Sequence, residues 1–114
     1  MYDLEDRTRE FAIKVRIFLK KLPKSISNIE DGKQVVRSSG SVGANYIEAN
    51  EALSKKDFQH RVKIARKEAK ESEYWLKIIK ANNDAKFFKE NEMLICESQE
   101  LKKILSAILE KCKS

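Results

Sequence analysis

The sequence predicts an all-α fold, an up-down-up-down antiparallel four-helix bundle, and three observations carry that expectation. Four segments place apolar or small residues at steps of four and three, the spacing that lines one face of an α-helix. Three short breaks, each with residues that stop or cap a helix, separate those segments. No segment alternates with the two-residue period of a strand, and three Gly and one Pro in 114 residues leave few turn formers. Helices of roughly 20–28 residues on short links pack beside their neighbours in antiparallel order. A seven-residue advance of the stripes predicts crossing angles near about +20°. A single domain over residues 1–114 follows, large enough to bury a core of its own.

The first helix is expected over about 3–21. Leu4, Thr8, Phe11, Val15, Phe18 and Leu22 form its stripe, widened by Ala12 and Leu19. Pro23 ends it, because proline lacks a backbone donor and biases the preceding residue away from helical geometry. After a connection over 23–30, the second helix runs from about 30 to 53. Its stripe is Val35, Ser39, Val42, Tyr46, Ala49 and Leu53, with Val36, Gly40, Gly43 and Ile47 in a neighbouring row. The stretch Ser38-Ser39-Gly40-Ser41-Val42-Gly43-Ala44 has poor helix propensity, each Gly costing about 1 kcal/mol against Ala. Close approach of another helix backbone would offset that loss; a flexible hinge is the competing explanation.

Ser54 and Asp57 form a capping-box-like pair that opens the third helix, about 55–81. Its stripe is Phe58, Val62, Ala65, Ala69, Ser72, Leu76 and Ile79. Asn82-Asn83-Asp84 is a polar turn. The fourth helix, about 85–112, has the stripe Phe87, Asn91, Leu94, Ser98, Leu101, Leu105, Ile108 and Cys112. Val36, Ile47, Ile64, Trp75, Ile78, Ile104 and Leu109 lie beside the stripes and widen the apolar surface. That width suits either a contact with a neighbouring subunit or a thick monomer core.

Charge is concentrated on helix three. Residues 55–80 hold nine Lys or Arg against four acids, a balance of +5 in a chain of net charge +6. Lys56, His60, Lys63, Lys67, Lys70, Tyr74 and Lys77 run two positions round from the apolar stripe. Two residues turn about 200° on a helix, so this second stripe lies opposite the first, with Arg66 beside it. Cations at such spacing follow a polyanion backbone by neutralising phosphates. A solvated face that keeps the chain soluble is the plain alternative. Tyr74 and Trp75 are the aromatics nearby, Trp75 directed toward the bundle, and no stacking platform for bases is evident.

Chemistry is sparse. The single His60 lacks a fixed acid partner, no Glu-x-x-His pair occurs, and Gly40-Ser41-Val42-Gly43 is no phosphate loop. Cys96 and Cys112 on one helix would lie roughly 24 Å apart, too far for a disulfide and without zinc spacing; reduced thiols are expected, a redox sensor being the other reading. No catalytic, cofactor-binding or metal-binding residue is assigned, and a non-enzymatic protein is expected. Arg37, Asn45, Glu48, Glu68 and Trp75 are candidates for a polar network that fixes helix register or subunit contacts, with a ligand pocket as the alternative. No run of about 18 apolar residues marks a membrane span, and the acidic opening is unlike a signal peptide, so a cytoplasmic location is expected.

The segment Arg37-Ser38-Ser39-Gly40-Ser41-Val42-Gly43-Ala44-Asn45-Tyr46-Ile47-Glu48-Ala49 resembles a known bacterial family, and the likeness continues through Ser54–Phe58 and Lys63–Leu76. That family comprises small four-helix-bundle proteins encoded in intervening sequences of large-subunit (23S) ribosomal RNA genes. It is similar to the accessory protein of diversity-generating retroelements, a basic homopentamer that binds nucleic acid and a reverse transcriptase. The resemblance implies a homopentamer with cations on its surface and, as partners, RNA or DNA and a reverse transcriptase. Many members carry Pro where this chain has Gly43, a departure that implies a locally straighter helix two. Two readings follow: an oligomeric nucleic-acid-associated adaptor acting through Lys56, His60, Lys63, Arg66, Lys67, Lys70 and Lys77, or a protein-interaction scaffold with no nucleic-acid partner.

Overall fold

The computed structural model describes residues 3–113; Met1, Tyr2 and Ser114, at the ends of the expected domain, lie outside them. Four α-helices are formed among the described residues: α1 (Leu4–Lys21), α2 (Ile26–Asn50), α3 (Lys55–Ala81) and α4 (Phe88–Lys111), the last entered through a 3-10 turn at Ala85–Phe87. Each helix packs against the next, and α4 returns to α1, which closes an up-down-up-down bundle. The molecule measures 46 × 21 × 21 Å. Its long dimension is set by α3, whose length at ~1.5 Å per residue comes to about 40 Å.

Short polar side chains set the starts of three helices. Asp3 accepts a hydrogen bond from the Asp6 amide, Ser25 from that of Asn28 and Ser54 from that of Asp57, each satisfying an otherwise orphaned donor. The Ser25 cap corrects the expected start of α2. It sits two residues after Pro23, so the helix begins at Ile26 rather than near 30 and the connection is short. The other end of α2 also differs. The Glu51 amide caps the last turn, the helix stops at Asn50, and Leu53 leaves the stripe to stand 98% exposed.

The core follows the other stripes. Phe11, Val15 and Phe18 of α1 meet Val35 and Val42 of α2, Val62, Ala65, Ala69, Leu76 and Ile79 of α3, and Leu101 and Leu105 of α4. At the end of α4 the buried position is Leu109; Ile108 and Cys112 are half-buried.

Three seams are tight and one is loose. At the α1–α2 seam a Cβ on Gly43 would come within 2.7 Å of Thr8 Oγ1, so only glycine permits the approach. At the α2–α3 seam the hydroxyls of Ser38 and Ser72, both fully buried, are 2.8 Å apart. The Ser38–Ala44 stretch is therefore a packing device inside an unbroken helix, not a hinge. Across α3–α4 the buried Asn91 donates to the Leu76 carbonyl at 3.0 Å. One bundle end is tied by Asn28 and Asn83, whose amides exchange hydrogen bonds of 2.9 and 2.8 Å. The α1–α4 seam is the loosest. It is bridged by Arg7–Glu97 and Lys21–Glu90 and holds a groove of about 600 Å³ lined by Phe11, Ile17, Met93 and Leu94.

Candidate nucleic-acid interface

Because α3 buries the stripe from Val62 to Ile79, its opposite face must meet solvent. Lys56, His60, Lys63, Lys67, Lys70, Tyr74 and Lys77 are all exposed there. From Lys56 to Lys70 the line covers about 21 Å of helix axis at ~1.5 Å per residue. Arg66 departs from it: it is half-buried and leans toward α4, with Nη1 3.5 Å from Ser106 Oγ. Lys77 pairs with Glu73 at 2.9 Å. Among the described residues, Lys56, His60, Lys63, Lys67 and Lys70 have no hydrogen-bond or ion-pair partner.

Three of the four acids of α3, Glu68, Glu71 and Glu73, meet partners on the neighbouring helices; Asp57 in the first turn is exposed. Glu68 stands one residue before Ala69 and Glu73 one residue after Ser72, so they flank the buried stripe on opposite sides. Glu68, nearly buried, meets Arg37 of α2 at 3.1 Å, and the same guanidinium holds Glu71 at 2.8 Å. These bonds, that to Glu68 foremost, raise the Arg37 pKa against the opposing effect of burial. Glu73, also nearly buried, accepts from Gln99 at 2.9 Å and from Lys102 at 3.2 Å, both on α4. The Gln99 hydrogen bond, with Lys77 and Lys102, outweighs desolvation and lowers the Glu73 pKa to about 2.

The expected polar network resolves into separate contacts. Arg37 and Glu68 do meet. Asn45 instead donates to the Ser41 carbonyl at 2.8 Å and accepts from Arg61 at 3.3 Å. Glu48 is exposed without a partner, and Trp75 packs against the core with its ring edge-to-face with Tyr74. Glu71 and Glu73, the acids that accompany Glu68 on α3 in the sequence, complete these contacts, whereas Gln99 and Lys102 of α4 join them with no signal in the sequence to mark them. Among the described residues no group of three or more His, Cys, Asp or Glu is placed to hold a metal ion, and no helix is long and apolar enough to cross a membrane. Cys96 is exposed and Cys112 half-buried, both as free thiols.

Residues 2–107 match the sequence model of a family described as 23S rRNA-intervening sequence protein. A similar solved structure is that of a protein with unknown function from the S23 ribosomal protein family of Bacteroides thetaiotaomicron VPI-5482. It is 31% identical, aligns over 94% of this chain and 98% of that one, and superposes with a TM-score of 0.80. No curated protein matches the chain.

Proposed function

The chain belongs to the 23S rRNA-intervening sequence protein family, and from that premise we propose a non-enzymatic, oligomeric adaptor that binds nucleic acid through the outward face of α3. One observation carries this reading: a line of exposed lysines, Lys56, Lys63, Lys67 and Lys70, stands without an ion-pair partner among the described residues, while three of the four acids of the same helix, Glu68, Glu71 and Glu73, meet partners at the bundle seams and only Asp57 in the first turn stays exposed. Unneutralised cations release the counterions of a polyanion on contact, which drives binding through phosphates and leaves base edges unread. A titration of a labelled oligonucleotide at two salt concentrations tests it. Affinity should fall steeply with salt, each phosphate contact contributing a slope of about −0.9 in log K against log salt on duplex DNA and about −0.7 on single strands. Absence of binding at low salt would overturn the reading.

A second reading, a protein-interaction scaffold, is favoured by the apolar groove along the α1–α4 seam. The same titration separates the two, since a scaffold with solvated lysines binds no oligonucleotide near physiological salt.

A further inference from the structure

The cationic line of α3 runs on into an aromatic side chain. Tyr74 follows Lys63, Lys67 and Lys70 on the same face and is 60% exposed. Its ring lies 5.1 Å from that of Trp75, centroid to centroid, at an interplanar angle of 76°. Trp75 is itself half-buried and packed against the core, so the exposed ring leans on an anchored neighbour. An edge-to-face pair uses at most one face of each ring, which leaves a face of Tyr74 open to solvent. No hydrogen bond ties Tyr74 down among the described residues.

Cations in a row and a steadied, exposed ring at the end of that row meet two separate needs of an unpaired strand. Its phosphates seek positive charge, and its uncovered bases seek a flat apolar surface. A duplex has only the first need, because its bases already stack on one another. We infer that α3 takes an unpaired polynucleotide strand, with phosphates along Lys63, Lys67 and Lys70 and one base stacked on Tyr74. The inference rests on the reading of α3 as a nucleic-acid surface and names the ligand class for it. Every base has a π-face, so the stack is tolerant of sequence, and RNA and DNA strands offer the same chemistry.

The test uses the full chain with four fluorescent probes of equal length: single-stranded RNA, single-stranded DNA and the corresponding duplexes. A 2-aminopurine in each single strand reports stacking directly. The expected result is tighter binding of single strands than of duplexes, with quenching of the 2-aminopurine on binding. Tyr74→Ala should lower single-strand affinity about 5- to 100-fold, leave duplex affinity unchanged and abolish the quench. Tyr74→Phe keeps the ring and should bind like the parent, and an unchanged thermal midpoint excludes loss of fold. Either sugar satisfies the inference, and a tighter RNA arm would identify RNA as the source. Parent-like single-strand binding by Tyr74→Ala overturns it, as does an equal loss on strand and duplex; in both cases the lysine reading survives. If the parent binds no probe at all, the lysine reading fails and takes this inference with it.

Discussion

Gly43 and Thr8 occupy one crowded point. The nearest atoms to a new Cβ at Gly43 belong to a β-branched side chain whose hydroxyl already donates to the main chain of its own helix, so Thr8 has little freedom to move aside. Gly43→Ala should therefore destabilise by roughly 1–3 kcal/mol through overpacking, although Ala is the better helix former. Gly32 supplies the contrast: its Cβ would meet Leu19 at an ordinary 3.8 Å. Gly32→Ala should be neutral or stabilise by up to ~1 kcal/mol. Chemical denaturation of both variants checks the pair, and a Gly43→Ala midpoint at or above the parent's would contradict the account. Glu73 poses a different residue-scale question. Its pKa lies near 2 in the fold against an ordinary 4.5, so its carboxylate stabilises the bundle above pH 4.5. That stability is lost as pH falls through 4.5 toward 2, because the unfolded chain binds the proton first. Glu73→Gln should cost on the order of 1–3 kcal/mol at pH 7 and close to nothing near pH 2. Thermal midpoints of parent and variant across that range should converge as the solution is acidified; parallel curves would remove Glu73 from the acid response.

At the scale of the helix, α3 serves two faces that mutate independently. Replacing Lys63, Lys67 and Lys70 with Gln should weaken oligonucleotide binding and flatten its salt dependence, each lost phosphate contact lowering the slope by about 0.7–0.9. Folding should be unaffected, since all three side chains are exposed. A triple variant that binds like the parent would move the binding surface elsewhere. The two faces of α3 were legible in the sequence because helical periodicity alone sorts Val62, Ala65 and Ala69 from Lys63, Lys67 and Lys70. The ends of α2 were less so. A cap such as Ser25 is a single weak local signal, and Leu53 continued the apolar spacing past the point where the backbone turns away. Which cations are paired was legible only for Arg37 and Glu68, expected in one polar network and found 3.1 Å apart. Lys102 finds Glu73, and Lys21 finds Glu90, only once separate helices are brought side by side. The sequence likewise showed no stacking platform, because the edge-to-face set of the exposed Tyr74 ring against the core-packed Trp75 appears only in the folded bundle.

At the scale of the whole molecule, the bundle leaves apolar side chains uncovered. Ile13 and Ile17 on α1, Ile47 on α2 and Met93 on α4 are exposed, and the α1–α4 groove has an apolar floor. Together with the family likeness, this predicts a homo-oligomer, five subunits being the expected number. Light scattering coupled to size exclusion should return a mass several times 13.2 kDa. A monomer at micromolar concentration would contradict it. On an isolated helix, Glu71 lies four residues from Lys67, and Glu73 three from Lys70, close enough to neutralise them. In the bundle Glu71 is held by Arg37 of α2 and Glu73 by Gln99 and Lys102 of α4, in addition to Lys77 of its own helix. A peptide of residues 55–81 would thus have the composition of α3 without its polarity. The positive face is a property of the assembled tertiary structure: folding separates the charges of one helix and holds them apart, much as a capacitor does.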